Sequence, residues 1–240
     1  MNLVIDRGNT RLKMAVFDHR TLVEICVCNA LTDDFLAQLK VRFPIEKAIF
    51  CSVAGGDEPI LAILHRHFPD MWQMPNGLQF PISCDYDLRR IGADRIAAAV
   101  GARVCVPQGN LLVVDAGTCV TYDFLSASNH FECGNIAPGY ELRLKAMHHF
   151  TGKLPQVEPT APTHFVAAET AEAMRAGAFN GLVFEIEGYL AHLQQSFADI
   201  KLVLGGGIAP LLRNKIKNSN FAEPNLALIG LNEILVENNR

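Results

Sequence analysis

Hydrophobic and polar positions alternate in short runs over the first third of the chain. NLVID at 2–6 is a short apolar run ending in Asp6, and with LKMAVF at 12–17 and TLVEICVC at 21–28 it predicts three successive strands joined by tight turns. TDDFLAQLKVRF then changes to helical spacing, with Thr32 or Asp33 placed to cap it. KAIFCSV predicts a strand, DEPILAILHRHF a helix, and, after a short irregular region, GADRIAAAVGARVCV another helix. The pattern then begins again. LLVVD, CVTYDFL and HFECGNI form a second strand trio, and a helix is predicted from about Pro138, where proline suits a first turn. Residues 151–163 are proline-rich and predict a loop. Residues 168–197 predict helix interrupted near Gly181 and Gly188. KLVLGGG predicts a strand running into a glycine turn, and NLALIGLNEIL a final helix.

Each half therefore opens with three strands, and the first strand of each ends in an aspartate: Asp6 in DRGNT and Asp115 in DAGT. The repeat predicts an α/β protein of two similar lobes, residues 1–108 and 109–240, each a mixed sheet flanked by helices, with a cleft between them.

These turns are candidate phosphate sites. The segment after each aspartate alternates like a strand, so neither a dinucleotide-binding nor a P-loop motif applies. A tight strand–turn–strand offers Gly8 for close backbone approach and successive N–H groups for an anion. Asn9, Thr10 and Lys13 add donors, and Asp6 is placed to hold Mg²⁺ through water. The plainer reading is a Gly-Asn hairpin capped by Asp6. DAGT, with Thr118, is ambiguous alone; its weight comes from the repetition. LVLGGGIAP at 202–210 permits close approach to a flat ligand or is a tightly packed turn. GADR puts Asp94 and Arg95 in a helix first turn, as a base and a carboxylate-binding cation or as ordinary dipole-favoured charges. CGNIAPGY at 133–140 opens a helix and is equally an anion site or a plain helix start.

Composition narrows the classes. Of 240 residues, half are hydrophobic and 19% charged, which fits a globular protein, and the net charge of −4 disfavours nucleic-acid binding through a basic surface. No apolar run reaches the roughly 18 residues of a membrane span. The first residues lack a basic-then-apolar leader pattern, so cytoplasmic location is expected. Seven cysteines (26, 28, 51, 84, 105, 119 and 133) show no zinc spacing and are expected mostly as reduced, buried thiols within strands. His65, His67, His148 and His149 lack partners at metal-ligand spacing.

In order and distance, IDRGNTRLKMAVF, IGADRIAAA, VVDAGTCVTYDFL, GNIAPGYELRLKAM, TGKLPQV, ETAEAMRAG, LVLGGGIAP and LALIGLNEIL resemble the type III pantothenate kinases, of the acetate and sugar kinase/Hsp70/actin superfamily. The resemblance implies actin-like, ribonuclease H-like lobes. It also implies ATP-dependent phosphorylation of pantothenate at its primary hydroxyl, the first step towards coenzyme A. On it, Asp6, Arg7, Gly8, Asn9, Thr10, Arg11, Leu12 and Lys13 form the first phosphate loop, and Thr118 contacts ATP. Tyr86, Gly92, Ala93, Asp94 and Arg95 bind pantothenate, with Asp94 the general base. Asp115 binds a monovalent cation, K⁺ or NH₄⁺. Thr170 reaches the substrate of the other subunit of a homodimer. The chain departs from the family pattern at Cys133, where the family tends to have glycine. It also departs at Glu169, usually Asn, and between Tyr86 and GADR, where a proline is missing and the spacing is one residue shorter. Two further readings remain: a non-catalytic nucleotide-binding regulator on the same fold, and a kinase for another small hydroxylated acid.

Overall fold

The structure is a computed structural model describing residues 1–9, 11–216 and 219–239. Its contacts divide the chain into two units. The first contains residues 1–108, 128–131 and the segment from Asn225 onward; the second contains 109–127 and 132–224.

In the first unit, β1 (Asn2–Arg7), β2 (Leu12–Asp18) and β3 (Thr21–Cys28) form an antiparallel meander. Helix α1 (Asp33–Arg42) leads to β4 (Lys47–Ser52), parallel to β1, and α2 (Glu58–His67) leads to β5 (Trp72–Gln73), parallel to β4. The sheet order is β3-β2-β1-β4-β5. Alternation directs Leu3, Ile5, Leu12, Met14, Val16 and Phe50 onto Leu36 and Leu39 of α1 and Leu64 of α2. Thr32 caps α1, its hydroxyl accepting from Phe35 N at 3.2 Å. A single 3₁₀ turn, Leu88–Arg90, precedes α3 (Ala93–Cys105), whose Ala97, Ala98 and Ala99 are fully buried.

The second unit repeats the design. β6 (Leu111–Ala116) pairs antiparallel with β7 (Cys119–Leu125), next to which lies β8 (Phe131–Pro138). Helices α4 (Tyr140–His149) and α5 (Thr170–Gln194) lead to β9 (Lys201–Gly205), parallel to β6. Then follow α6 (Ala209–Arg213) and β10 (Ser219–Ala222), parallel to β9. The order β10-β9-β6-β7-β8 matches the first sheet strand for strand. Asp6 and Asp115 are each the penultimate residue of the central strand.

Helix α7 (Leu226–Glu237) closes the chain by packing on α3, within the first unit. The two backbones touch: a Cβ on Gly101 would lie 2.0 Å from Leu226 O, and one on Gly230 would lie 1.8 Å from Ala97 O. Asn232, buried on α7, accepts from Asn2 Nδ2 at 2.9 Å and donates to His19 O at 2.8 Å.

Several expectations need correcting. The second lobe was expected to run to residue 240, but its last helix belongs to the first unit. Gly181 and Gly188 do not interrupt α5. Each costs about 1 kcal/mol in a helix, and the buried stripe of Met174, Phe179, Leu182, Ile186 and Leu190 outweighs that. The short elements β5, α6 and β10 were not anticipated. Among the cysteines only Cys51 is buried: Cys119 is exposed at the head of β7, Cys84 lies outside any named element and Cys105 ends α3.

Candidate active site

In the first unit, the turn after β1 is closed by Gly8 N donating to Arg11 O at 3.1 Å. Asp6 sits in register with Lys13 on one side and Cys51 on the other. Arg7 points to the opposite face of the sheet, because neighbouring residues of a strand alternate. Its guanidinium donates to Gly56 O at 2.8 Å and pairs with Asp57. Asn9 and Arg11 are exposed, Leu12 is core, and Thr10 lies outside the described residues. The Gly8 N–H closes the turn, so it is not one of the successive amides expected to face an anion. Gly8 has room around it: a Cβ there would meet only Arg11 O, at 3.7 Å.

Asp94 stands in the first turn of α3. Gly92, at the N-cap, leaves space for the carboxylate to fold back: a Cβ on Gly92 would be 2.7 Å from Asp94 Oδ1. Asp94 Oδ1 accepts from Arg95 N at 2.8 Å. Burial raises its pKa above the ordinary aspartate value, and the hydrogen bond and charge of Arg95 only partly oppose the shift. Cys51, on β4, is fully buried beside the end of β1. Its thiol is pushed well up, first by burial and then by the charges of Asp6, Asp94 and Asp57. Asp6, the ladder partner of Cys51, and Asp94 thus both add to the shift of one buried thiol. Ala93 is buried beside them, and Arg95 is half-buried. Tyr86 is exposed upstream, its ring under the Arg90 guanidinium at 5.5 Å.

In the second unit, three of the sequence motifs meet at the turn after β6. Gly117 N donates to Cys119 O at 2.9 Å and Gly139 N to Thr118 O at 3.0 Å. A Cβ on Gly139 would lie 2.2 Å from Gly117 O. One on Gly206, whose φ is +83°, would lie 2.4 Å from Ala116 O. DAGT, NIAPGY and LGGG are therefore packed together. Asp115 pairs in register with Thr121 and Gly205. The buried Thr121 hydroxyl has no hydrogen-bond partner among the described residues. An orphaned hydroxyl oxygen beside a carboxylate is a fitting donor set for a hard cation such as K⁺. No group of three or more His, Cys, Asp or Glu side chains able to hold a metal occurs among the described residues. Thr170 is exposed at the first position of α5, next to Glu169.

Sequence reasoning missed Ser52, Asp57 and Thr121. The first two are joined to Arg7 only by folding; Thr121 is readable only once the register of β7 on β6 is known.

Two copies of a β-β-β-α-β unit, each with an aspartate–glycine turn after its central strand, define the two-unit α/β fold of sugar kinases and actin-like ATPases. Over its length the chain resembles a ROK hexokinase from Thermus thermophilus (TM-score 0.53, 13% identity, 99% of each chain). It also resembles a protein described as a Baf family transcriptional activator from Campylobacter jejuni (TM-score 0.63, 23% identity, 99% of this chain and 98% of the other). Residues 2–192 match the type III pantothenate kinase family. The chain is 37% identical, over all of both sequences, to a type III pantothenate kinase of Phocaeicola vulgatus. The chain belongs to the type III pantothenate kinase family. No helix among the described residues is long and apolar enough to cross a membrane.

Proposed function

We propose that the protein transfers the γ-phosphoryl group of ATP to the primary hydroxyl of pantothenate, the entry reaction of coenzyme A synthesis. The observation that carries this reading is Asp94. It is a half-buried carboxylate at a helix start, within the family's GADR motif, held by Arg95 N and sharing the surroundings of Cys51 with Asp6.

Phosphoryl transfer asks mostly for positioning and charge stabilisation. Asp94 takes the proton of the attacking hydroxyl late in the reaction, and Arg95 presents a forked cation to the substrate carboxylate. Tyr86, Gly92 and Ala93 complete the pantothenate loop. Residues 6–13 and Thr118 hold the nucleotide. Gly8 and Gly117 serve by lacking a side chain, since neither is crowded by protein atoms. Asp6 would hold Mg²⁺, and Asp115 with Thr121 would hold the monovalent cation. When bound, these ions would supply charge neutralisation for phosphoryl transfer. Thr170 completes the substrate site of a second copy, so the working form is a homodimer. A small-molecule kinase of this family fits a cytoplasmic location, where ATP is supplied.

The test is a coupled assay of ADP release with ATP, Mg²⁺ and pantothenate, with and without K⁺. Pantothenate-dependent ADP release stimulated by K⁺ is expected. Asp94→Asn is expected to lower kcat by at least about a thousandfold, within the range general-base loss produces. Near-full turnover in a folded Asp94→Asn protein removes Asp94 as the base.

A further inference from the structure

We propose that Asp57 is a positioning residue for the nucleotide loop, acting through Arg7. The inference rests on the reading of residues 6–13 as that loop. Arg7 is the residue between Asp6 and Gly8, and its own charge is answered inside the protein. Its guanidinium donates to Gly56 O at 2.8 Å and pairs with Asp57; both side chains are only 22% exposed. Asp57 Oδ1 also accepts from Ser52 Oγ at 2.9 Å, and Ser52 is the ladder partner of Arg7. From the main-chain side, Val53 N donates to Arg7 O at 3.2 Å. The segment 52–57 therefore grips residue 7 by its carbonyl and by its side chain at once.

Asp57 gives up its usual local use to do this. It occupies the N-cap of α2, where an aspartate normally accepts a backbone N–H of the first turn, yet its side chain makes no such bond. A carboxylate drawn away from its own helix and onto an arginine 50 positions distant in sequence is a tie between segments. Two charge-assisted hydrogen bonds from one nitrogen, Arg7 Nη1, to Asp57 Oδ1 and Gly56 O restrict where the guanidinium can go. With Arg7 fixed, the Asp6 carboxylate on one side and the Gly8 turn on the other are fixed as well. Without Asp57, Arg7 is a loose cation at the edge of the loop. The loss therefore falls first on nucleotide binding, because the tie ends on Arg7, a residue of that loop.

The experiment is steady-state kinetics on the full chain for Asp57→Ala, Asp57→Asn, Asp57→Glu, Arg7→Ala and the Arg7→Ala/Asp57→Ala double variant, each checked for a cooperative melt. Asp57→Ala is expected to raise the KM for ATP about tenfold and leave that for pantothenate within about twofold. The double variant should be no worse than the poorer single one, because both remove the same tie. Asp57→Glu should recover part of the loss. Three outcomes each overturn the proposal: an ATP KM within twofold of the parent, equal shifts in both KM values, or additive single effects. If Asp57→Ala does not fold, Asp57→Asn carries the same test, keeping the shape and removing the charge. A parent protein that releases no ADP with pantothenate overturns the function above instead. Fluorescent-ATP binding to the same variants still decides the role of Asp57.

Discussion

The turn after β1 and the turn after β6 occupy equivalent places and are held in different ways. The first is fixed from outside by side chains, through Arg7, Ser52 and Asp57, and a Cβ on Gly8 would make only an ordinary contact, with Arg11 O. The second is fixed by backbone contact: the residues at 139 and 206 come so close to Ala116–Thr118 that only hydrogen fits where a Cβ would be. A repeated fold has conserved the geometry and let its means of support diverge. One turn depends on an ion pair, the other on steric fit.

The comparison can be broken most severely at Gly206. Gly206→Ala combines a left-handed φ of +83° with a Cβ 2.4 Å from Ala116 O. Strain of about 1–2 kcal/mol and overpacking of about 1–3 kcal/mol are expected. A thermal melt should fall by about 10 °C. A melt within 2 °C of the parent would show that the second turn is not sterically held. Gly8→Ala is the contrasting substitution, within the first turn itself. There a Cβ meets only Arg11 O, at 3.7 Å, so the melt should stay within about 2 °C while the KM for ATP rises several-fold. A large drop in melting temperature with an unchanged KM would reverse the assignment.

A smaller effect comes from Asp94. Burial raises its folded-state pKa, so the native carboxyl keeps its proton to higher pH than the unfolded one. Its contribution to stability therefore declines as pH rises from the ordinary aspartate value, about 3.9, through the folded pKa. Asp94→Asn should remove that decline and melt no lower than the parent at neutral pH, measured as Tm against pH. The acid limb of kcat/KM in the parent should lie above the ordinary aspartate range, because the base must be ionised.

The long strands and helices were legible in the sequence because burial on one face leaves a period. DRGNT and DAGT were legible because the chain repeats them. The order of elements, and the equivalence of Asp6 and Asp115, followed from those two signals. What escaped depends on tertiary pairing. Nothing local marks Asp57 as the partner of Arg7, since an aspartate before Glu-Pro reads as a helix cap. Thr121 looks like any β-branched strand residue until its neighbour in the ladder is Asp115. The cysteines misled because apolar neighbours suggested burial, whereas Cys26 and Cys28 lie on an edge strand and are only half covered.

The return of α7 to α3 has a consequence for how the molecule is made. Synthesis proceeds from the N-terminus, and domains generally fold as they emerge. Here the first sheet is finished early, yet the helix that covers α3 and supplies Asn232 to Asn2 emerges only after the second unit. The nascent first unit must therefore wait, its alanine-rich helix unpaired, while the contiguous stretch from 132 to 224 is translated. Emergence of α7, rather than completion of either sheet, is the event that lets the N-terminal half settle.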